Sequence, residues 1–287
     1  MKIGINLMLW TDDPTAAATR PLYAQIRDWG FDGVELPIFA HDTDAFRELG
    51  AHLDDLGLER TAVTILNPET DAISADAAVR SAAVQHLKDT IECCEAVGAD
   101  LLCGPLYAAL GQFSGAPPTD EEHRRSVACL KEAAAFAAER GIDLALEFLN
   151  RFEIYLLNDA DSTRRFAEAT GAANLGVHYD TFHAHIEEKD PAAAIAACGE
   201  RLRHVHISEN DRSTPGRGQV RWQESFDALA DAGYDGWLTI EAFGSALPSI
   251  AAATKIWRPM FESEEQLARD GLAFIRREWA ARRGDSR

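Results

Sequence analysis

The stretch RGIDLALEFL, residues 140–149, carries the pattern that decides the fold. A glycine closes a helical segment, a short polar link follows, and an apolar run rich in strand formers ends beside a carboxylate. The same unit recurs as WGFDGVEL (29–36), LGLERTAVTIL (56–66), VGADLLCGPL (97–106) and AGYDGWLTIE (232–241). Gly30, Gly57, Gly98, Gly141 and Gly233 stand where a helix must turn out of its own axis, a backbone position that glycine takes without steric penalty. Extending the reading outward places strands at 2–9, 33–39, 60–66, 100–106, 143–149, 175–182, 202–209 and 236–243. Amphipathic helical segments follow them at 15–29, 43–56, 78–97, 118–139, 160–170, 190–199, 222–232 and 264–281. Helix starts are marked by Ser74 and Asp76, by Thr119 with Glu122, and by Asp190-Pro191. Eight strand–helix units in one uninterrupted order predict an α/β chain folded as one (β/α)8 TIM barrel, a single catalytic domain over 1–287. No GxGxxG follows the first strand, so a dinucleotide fold has no support, and Gly216-Arg217-Gly218 reads as a turn. Only the basic tail 276–287 reads as frayed.

Composition agrees with a large buried core: 46% of the 287 residues are apolar and 8% aromatic. Against 28 Lys and Arg stand 47 Asp and Glu, a net charge of -19 that repels phosphate backbones and anionic lipid. Nucleic acid and membrane partners are therefore not expected. No apolar run reaches the ~20 residues needed to span a bilayer. The opening MKIGINLMLW lacks the length and cleavage site of a signal peptide, which points to the cytoplasm. Cys93, Cys94, Cys103, Cys129 and Cys198 have neither disulfide-framework nor zinc-type spacing and read as reduced, largely buried thiols.

Catalytic groups of a barrel sit at the C-terminal ends of its strands. There the sequence places Glu147 on the fifth strand, Asp180 on the sixth, His206 on the seventh and Glu241 on the eighth. Period-two alternation puts Glu147 with Ala145, Glu241 with Thr239, Asp180 with His178, and His206 with His204 and Ser208, each opposite an apolar face. One such residue is ordinarily a loop cap or a hydrogen-bonded core group; four on consecutive strands converge on the barrel mouth. Several unpaired carboxylates there resist burial, and a divalent cation resolves the conflict. Three carboxylates and an imidazole suit Mn²⁺, Mg²⁺ or Co²⁺ better than a thiolate-seeking metal. His178 and His204 lie deeper and read equally as satisfied interior imidazoles. Glu35 is open between a partner to a ligand, a substrate contact and a salt bridge.

With these residues assembled, the chain resembles the ketose 3-epimerases, the D-tagatose 3-epimerase and D-psicose (D-allulose) 3-epimerase group of the sugar-phosphate isomerase/epimerase-like barrels. The resemblance runs from the first strand to the last helix, and is most specific in LALEFLNRFEIYLLND, YDTFHAHIEE, HVHISENDRSTPGRGQVRW and DGWLTIEAF. It implies one divalent ion, with Mn²⁺ foremost, held by Glu147, Asp180, His206 and Glu241. Glu147 and Glu241 double as the acid/base pair, and Glu153, His183 and Arg212 contact the substrate. It also implies a homodimer or homotetramer, for which the apolar residues Ile256, Trp257, Met260 and Phe261 are candidate contacts.

Inverting C3 of a ketose requires a proton to leave one face of the sugar and return on the other, which two carboxylates on opposite sides accomplish. The absence of a Lys/Arg cluster or glycine-rich phosphate cradle after the last two strands favours a free sugar. Trp10, Tyr107, Phe113, Phe182 and Trp257 are candidates to stack on it. An aldose–ketose isomerase of hydroxypyruvate, xylose or rhamnose type is the rival reading. A nuclease of abasic-site type conflicts with the acidic charge, and an inert sugar-binding protein would not need the glutamate pair.

Overall fold

The structure is a computed structural model describing residues 1–283. Its strands are β1 (Lys2–Asn6), β2 (Gly33–Pro37), β3 (Glu59–Val63), β4 (Leu101–Gly104), β5 (Asp143–Glu147), β6 (Leu175–Asp180), β7 (Leu202–Ile207) and β8 (Trp237–Ile240). Each pairs in parallel with the next, and β8 closes on β1 with Lys2 opposite Trp237. This is the closed barrel that the repeating unit predicts. Around it run α1 (Arg20–Trp29), α2 (Thr43–Leu56), α3 (Ala77–Val97), α4 (Asp120–Ala138), α5 (Ala160–Thr170), α6 (Thr181–Glu187), α7 (Pro191–Cys198), α8 (Trp222–Asp231), α9 (Pro248–Thr254) and α10 (Glu264–Arg283). Among the described residues no helix is long and apolar enough to cross a membrane.

Strands covered on the outside by helices and on the inside by one another are buried on both faces, and β2, β6 and β8 are buried at every residue. The start signals do their expected work. Thr119 and Glu122 form a reciprocal capping box on α4, and Asp190 accepts the N–H groups of Ala192 and Ala193 at the start of α7. Gly33 has a different reason to be glycine: a side chain there would meet the Trp237 ring and the Glu59 carbonyl, which close the lower end of the barrel. All five cysteines are free and buried.

Three departures from the sequence reading matter for the site. The first strand ends at Asn6, whose side chain accepts the Met8 N–H and starts a 3-10 turn over Leu7–Leu9. The sixth strand stops at Asp180 rather than 182, because the Asp180 carboxylate caps α6 directly. A short helix, α9, crosses the segment between β8 and the last helix, where the sequence reading placed no helix. The last helix continues to Arg283, so the tail from Arg276 begins as helix, and residues 284–287 lie outside the described residues.

Candidate metal centre and active-site mouth

Strand register sets the first layer of the site. Asp180 on β6 lies opposite His206 on β7, and His206 lies opposite Thr239 on β8. Glu147 ends β5, and the Glu241 N–H continues the β8 ladder onto the Ile207 carbonyl at 3.3 Å. The structure thus brings together all four residues expected to bind metal. Each offers a ligand atom, all of them within 4.8 Å of one another, and none of the four residues is more than 4% exposed. His206 Nδ1 stands 3.4 Å from Asp180 Oδ2 and from Glu241 Oε1, and 3.9 Å from Glu147 Oε1.

The donor set fits a divalent cation. Glu147 Oε1 and His206 Nδ1 are buried without a hydrogen-bond partner, although both face this cluster. A buried, unpartnered carboxylate oxygen costs several kcal/mol unless a cation faces it (on the order of the penalties for unpaired buried charge). Oxygen and imidazole donors with no thiolate among them suit a hard or borderline ion. Burial and the neighbouring Glu241 carboxylate push the Glu147 carboxyl well above its usual range. Burial also opposes ionisation of Asp180, but the Arg212 guanidinium and His206 outweigh it and hold that carboxyl below its usual range.

Each group is aimed by a second contact. Asp180 Oδ1 accepts the N–H groups of Phe182 and His183 at 2.6 and 3.2 Å, which fixes the carboxylate at the start of α6 and leaves Oδ2 for the cluster. The capping role and the ligand role, alternatives when a lone Asp is read from sequence, coexist in one side chain. His206 Nε2 meets Glu35 Oε1 at 2.6 Å.

Arg212 enters from the loop after β7 in a left-handed conformation (φ 61°), uncommon for a residue with a Cβ. The buried Glu209 carboxylate organises that loop. It accepts the backbone N–H groups of Asn210, Gly216 and Val220 and the Trp222 indole at 2.9–3.0 Å. The guanidinium lies over the Phe182 ring at 3.8 Å, donates to Ser208 Oγ at 2.8 Å, and pairs with Asp180 and Glu241.

His183 Nδ1 accepts the Asn150 backbone N–H at 3.0 Å. A neutral ring bound this way carries its proton on Nε2. Burial and the adjacent Arg212 lower the His183 pKa to about 3, so the ring is neutral near pH 7. Nε2 stands 2.9 Å from Arg212 Nη2 and 3.6 Å from Glu147 Oε1. Arg212 Nη2 can only donate, so it competes with the Asn150 N–H for the single acceptor nitrogen of the neutral ring. Glu153 is held by the Asn150 side-chain amide at 2.7 Å and faces the same space. It does not pair with Arg151, whose guanidinium forks onto Glu187.

Above these groups lies a cavity of about 110 Å³. Glu147, Glu153, His183, Arg212 and Glu241 line one side of it, while Met8, Phe39, Val63, Ile65, Leu110, Phe243 and Ile250 supply most of the rest. None of the five aromatic candidates for stacking lines this cavity. Tyr107 is wholly buried with its hydroxyl on the Leu157 carbonyl, and Trp10 packs on Trp29. Phe113 and Trp257 are exposed outside the cavity lining, and Phe182 serves Arg212. The phenylalanines that do line the cavity are Phe39 and Phe243. Phe243 follows Glu241 by two, so the alternation that found Glu241 also pointed to it. Nothing in the sequence singled out Phe39 or the α9 residue Ile250, whereas Asn150 falls in the Glu147, Asn150, Arg151, Glu153 spacing that carries the resemblance. His178 and His204 lie in the barrel interior with rings 4.7 Å apart, outside the cavity lining.

Fold and site together define the class: residues 23–278 match the profile of the xylose isomerase-like TIM barrel family. The chain is 34% identical over 278 residues to a ketose 3-epimerase of Arthrobacter globiformis, covering 96% of each protein. It superposes on a solved L-ribulose 3-epimerase with a TM-score of 0.92 at 34% identity, over 99% of this chain and 96% of that one. A D-allulose 3-epimerase from Methylomonas sp., solved in complex with D-allulose, gives a TM-score of 0.91 at 30% identity, with 97% of both chains covered. This chain belongs to the xylose isomerase-like barrels and, among them, to the ketose 3-epimerases.

Proposed function

We propose that the chain inverts C3 of a free ketose of the D-fructose/D-psicose, D-tagatose/D-sorbose or L-ribulose type. The reaction passes through a cis-enediolate, with Glu147 and Glu241 exchanging roles as proton acceptor and donor. The observation that carries this reading is the glutamate pair. Two carboxylates from β5 and β8 close on one cavity, in a chain related along its length to ketose 3-epimerases. Glu147, Asp180, His206 and Glu241 would hold one divalent ion, Mn²⁺ by preference and Mg²⁺ or Co²⁺ as alternatives. When bound, such an ion acts as a Lewis acid on the ketose carbonyl and its neighbouring hydroxyl.

Glu147 and Glu241 face one cavity from β5 and the end of β8, so one can take the proton while the other returns it, and the roles reverse with the direction of reaction. The Arg212 guanidinium, with His183 beside it, supplies donors to the oxygen on which charge develops. Glu153, braced by Asn150, accepts from a sugar hydroxyl. The rest of the sugar meets an apolar wall that is not built to count hydroxyls, which suits a range of ketoses. No basic cluster at the cavity calls for a phosphate. We further propose a single catalytic domain acting in the cytoplasm as a homodimer or homotetramer. Trp257, 74% exposed, and Phe152, 75% exposed, are candidates for the contact between copies; Ile256, read from sequence as exposed, is instead tucked inward.

The test is proton exchange in D₂O followed by NMR, with Mn²⁺ and D-fructose, D-tagatose or L-ribulose. Deuterium at C3 with the C3 epimer, abolished by chelator and by Glu147→Gln or Glu241→Gln, is the expected result. Deuterium at C1 or C2 with an aldose product would make the chain an aldose–ketose isomerase instead.

A further inference from the structure

We infer that Glu35 is a positioning residue for the metal centre, fixing the His206 ring in the one tautomer that presents Nδ1 to Glu147, Asp180 and Glu241. This rests on the ligand set proposed above and extends it into the barrel interior.

Glu35 is completely buried on β2, and register places it between Asn6 on β1 and Thr61 on β3. Its Oε1 accepts the Asn6 amide at 2.9 Å and meets His206 Nε2 at 2.6 Å. Its Oε2 accepts the Thr61 hydroxyl at 2.9 Å and the Cys103 thiol at 3.3 Å, with His204 Nε2 at 2.7 Å. Amide, hydroxyl and thiol are all donors here, so the group they surround acts as an acceptor on both oxygens.

The His206 ring follows from this. Nε2 meets an acceptor at 2.6 Å and must carry its hydrogen there, which in a neutral ring puts the lone pair on Nδ1. Nδ1 is the atom that lies 3.4 Å from Asp180 and Glu241 and has no hydrogen-bond partner. The opposite tautomer would set a lone pair against the Glu35 carboxylate and turn an N–H towards the cluster, where it cannot ligate. Such a carboxylate behind a ligating imidazole typically matters ~10–100-fold in metal affinity.

The same residues invite a different assignment, since ligand atoms of Glu35, Cys103, His204 and His206 also lie within 4.8 Å of one another. The contacts argue against it. Both imidazoles approach Glu35 to 2.6–2.7 Å, whereas ligands at ~2.0–2.1 Å around a tetrahedral ion stand about 3.3 Å apart. The distances are too short for ligands of one ion; His206 hydrogen-bonds Glu35, and His204 meets it at ion-pair distance.

Free Mn²⁺, counted by electron paramagnetic resonance during titration, tests the assignment in the parent, in Glu35→Gln and in Thr61→Val. One ion per parent chain is expected, bound ~10–100-fold more weakly by Glu35→Gln. Thr61→Val also removes a bond to Glu35 but leaves the His206 contact, and should stay within about threefold of the parent. A Glu35→Gln affinity within twofold of the parent would overturn the inference while leaving the ligand set standing. A parent that binds no Mn²⁺ would overturn both. Two ions per chain, with a cobalt–thiolate absorption on Co²⁺ loading, would mean that the interior cluster ligates and does not position. Should Glu35→Gln fail to fold, ¹⁵N spectra of histidine-labelled parent loaded with Mg²⁺ decide the matter. A protonated Nε2 and a bare Nδ1 on His206 are expected, and the reverse would overturn the proposal.

Discussion

On the β5–β8 side of the mouth the cavity meets Glu147, His183, Arg212 and Glu241; on the β1–β4 side it meets Met8, Phe39, Val63, Ile65 and Leu110. The first half is charged and braced, because each functional group has a second contact behind it. Asp180 is tied to the start of α6, His206 to Glu35, His183 to Asn150, and the Arg212 loop to Glu209. The second half is hydrocarbon carried mostly on connecting segments, and the β2 carboxylate, Glu35, is turned inward and fully engaged. The contrast teaches a division of labour. Charge development in a proton transfer needs groups fixed before reaction, whereas an apolar wall contributes area and tolerates variation in what it touches.

Four measurements can break or sharpen that division. The largest effects belong to the glutamates. Glu147→Gln and Glu241→Gln should each lower kcat on D-psicose by ~10²–10⁴-fold, the range of general acid–base catalysis. If either keeps more than a tenth of parental turnover, the two-glutamate scheme fails. Removal of divalent ions by chelator should abolish turnover, and Mn²⁺ or Co²⁺ should restore it. Full activity after exhaustive chelation would remove the cation from the scheme and leave the buried carboxylates without their counter-charge.

Arg212→Lys comes next. A lysine keeps the positive charge but cannot at once meet Ser208, Asp180 and Glu241, as Nη1 does, reach His183, as Nη2 does, and stack on Phe182. A fall in kcat of about 10²-fold is expected, comparable to losing one oxyanion donor. The smallest effect should come from the wall. Ile65→Ala removes apolar surface from the segment after β3 worth about 1–2 kcal/mol when fully covered by ligand. Steady-state kinetics should show KM rising several-fold with little change in kcat. A loss of kcat matching that of Arg212→Lys would show that the wall also sets the reacting geometry, and the two halves would no longer be separable.

The two halves also differed in how far they could be read from the chain. Glu147, Asp180, His206 and Glu241 were legible because strand-end position and period-two alternation are local properties, and the structure brings all four together. Glu153, His183 and Arg212 followed from resemblance, and all three line the same cavity. The wall was not legible. Tyr107, in a loop after β4, points into the core, whereas Phe39, in a loop after β2, faces the cavity. Loop side chains have no period to betray their direction. The helices α6 and α9 were missed because each is only seven residues long, too short for a helical period to stand out.

The sequence by itself determined the barrel, since eight strand–helix units, five of them marked by a closing glycine, admit few other closures. It also determined which strands carry carboxylates and imidazoles at their ends, because alternation along a strand is a local rule. Only the tertiary structure decided what stands behind and across from those groups. Glu35 and His206 are 171 residues apart in the chain, and the contact that sets the imidazole's tautomer exists only once β2 and β7 share the barrel interior. The Arg212–His183 convergence likewise requires the β7 loop to fold over α6. Such pairings depend on barrel closure and side-chain packing, non-local terms that no window of sequence contains.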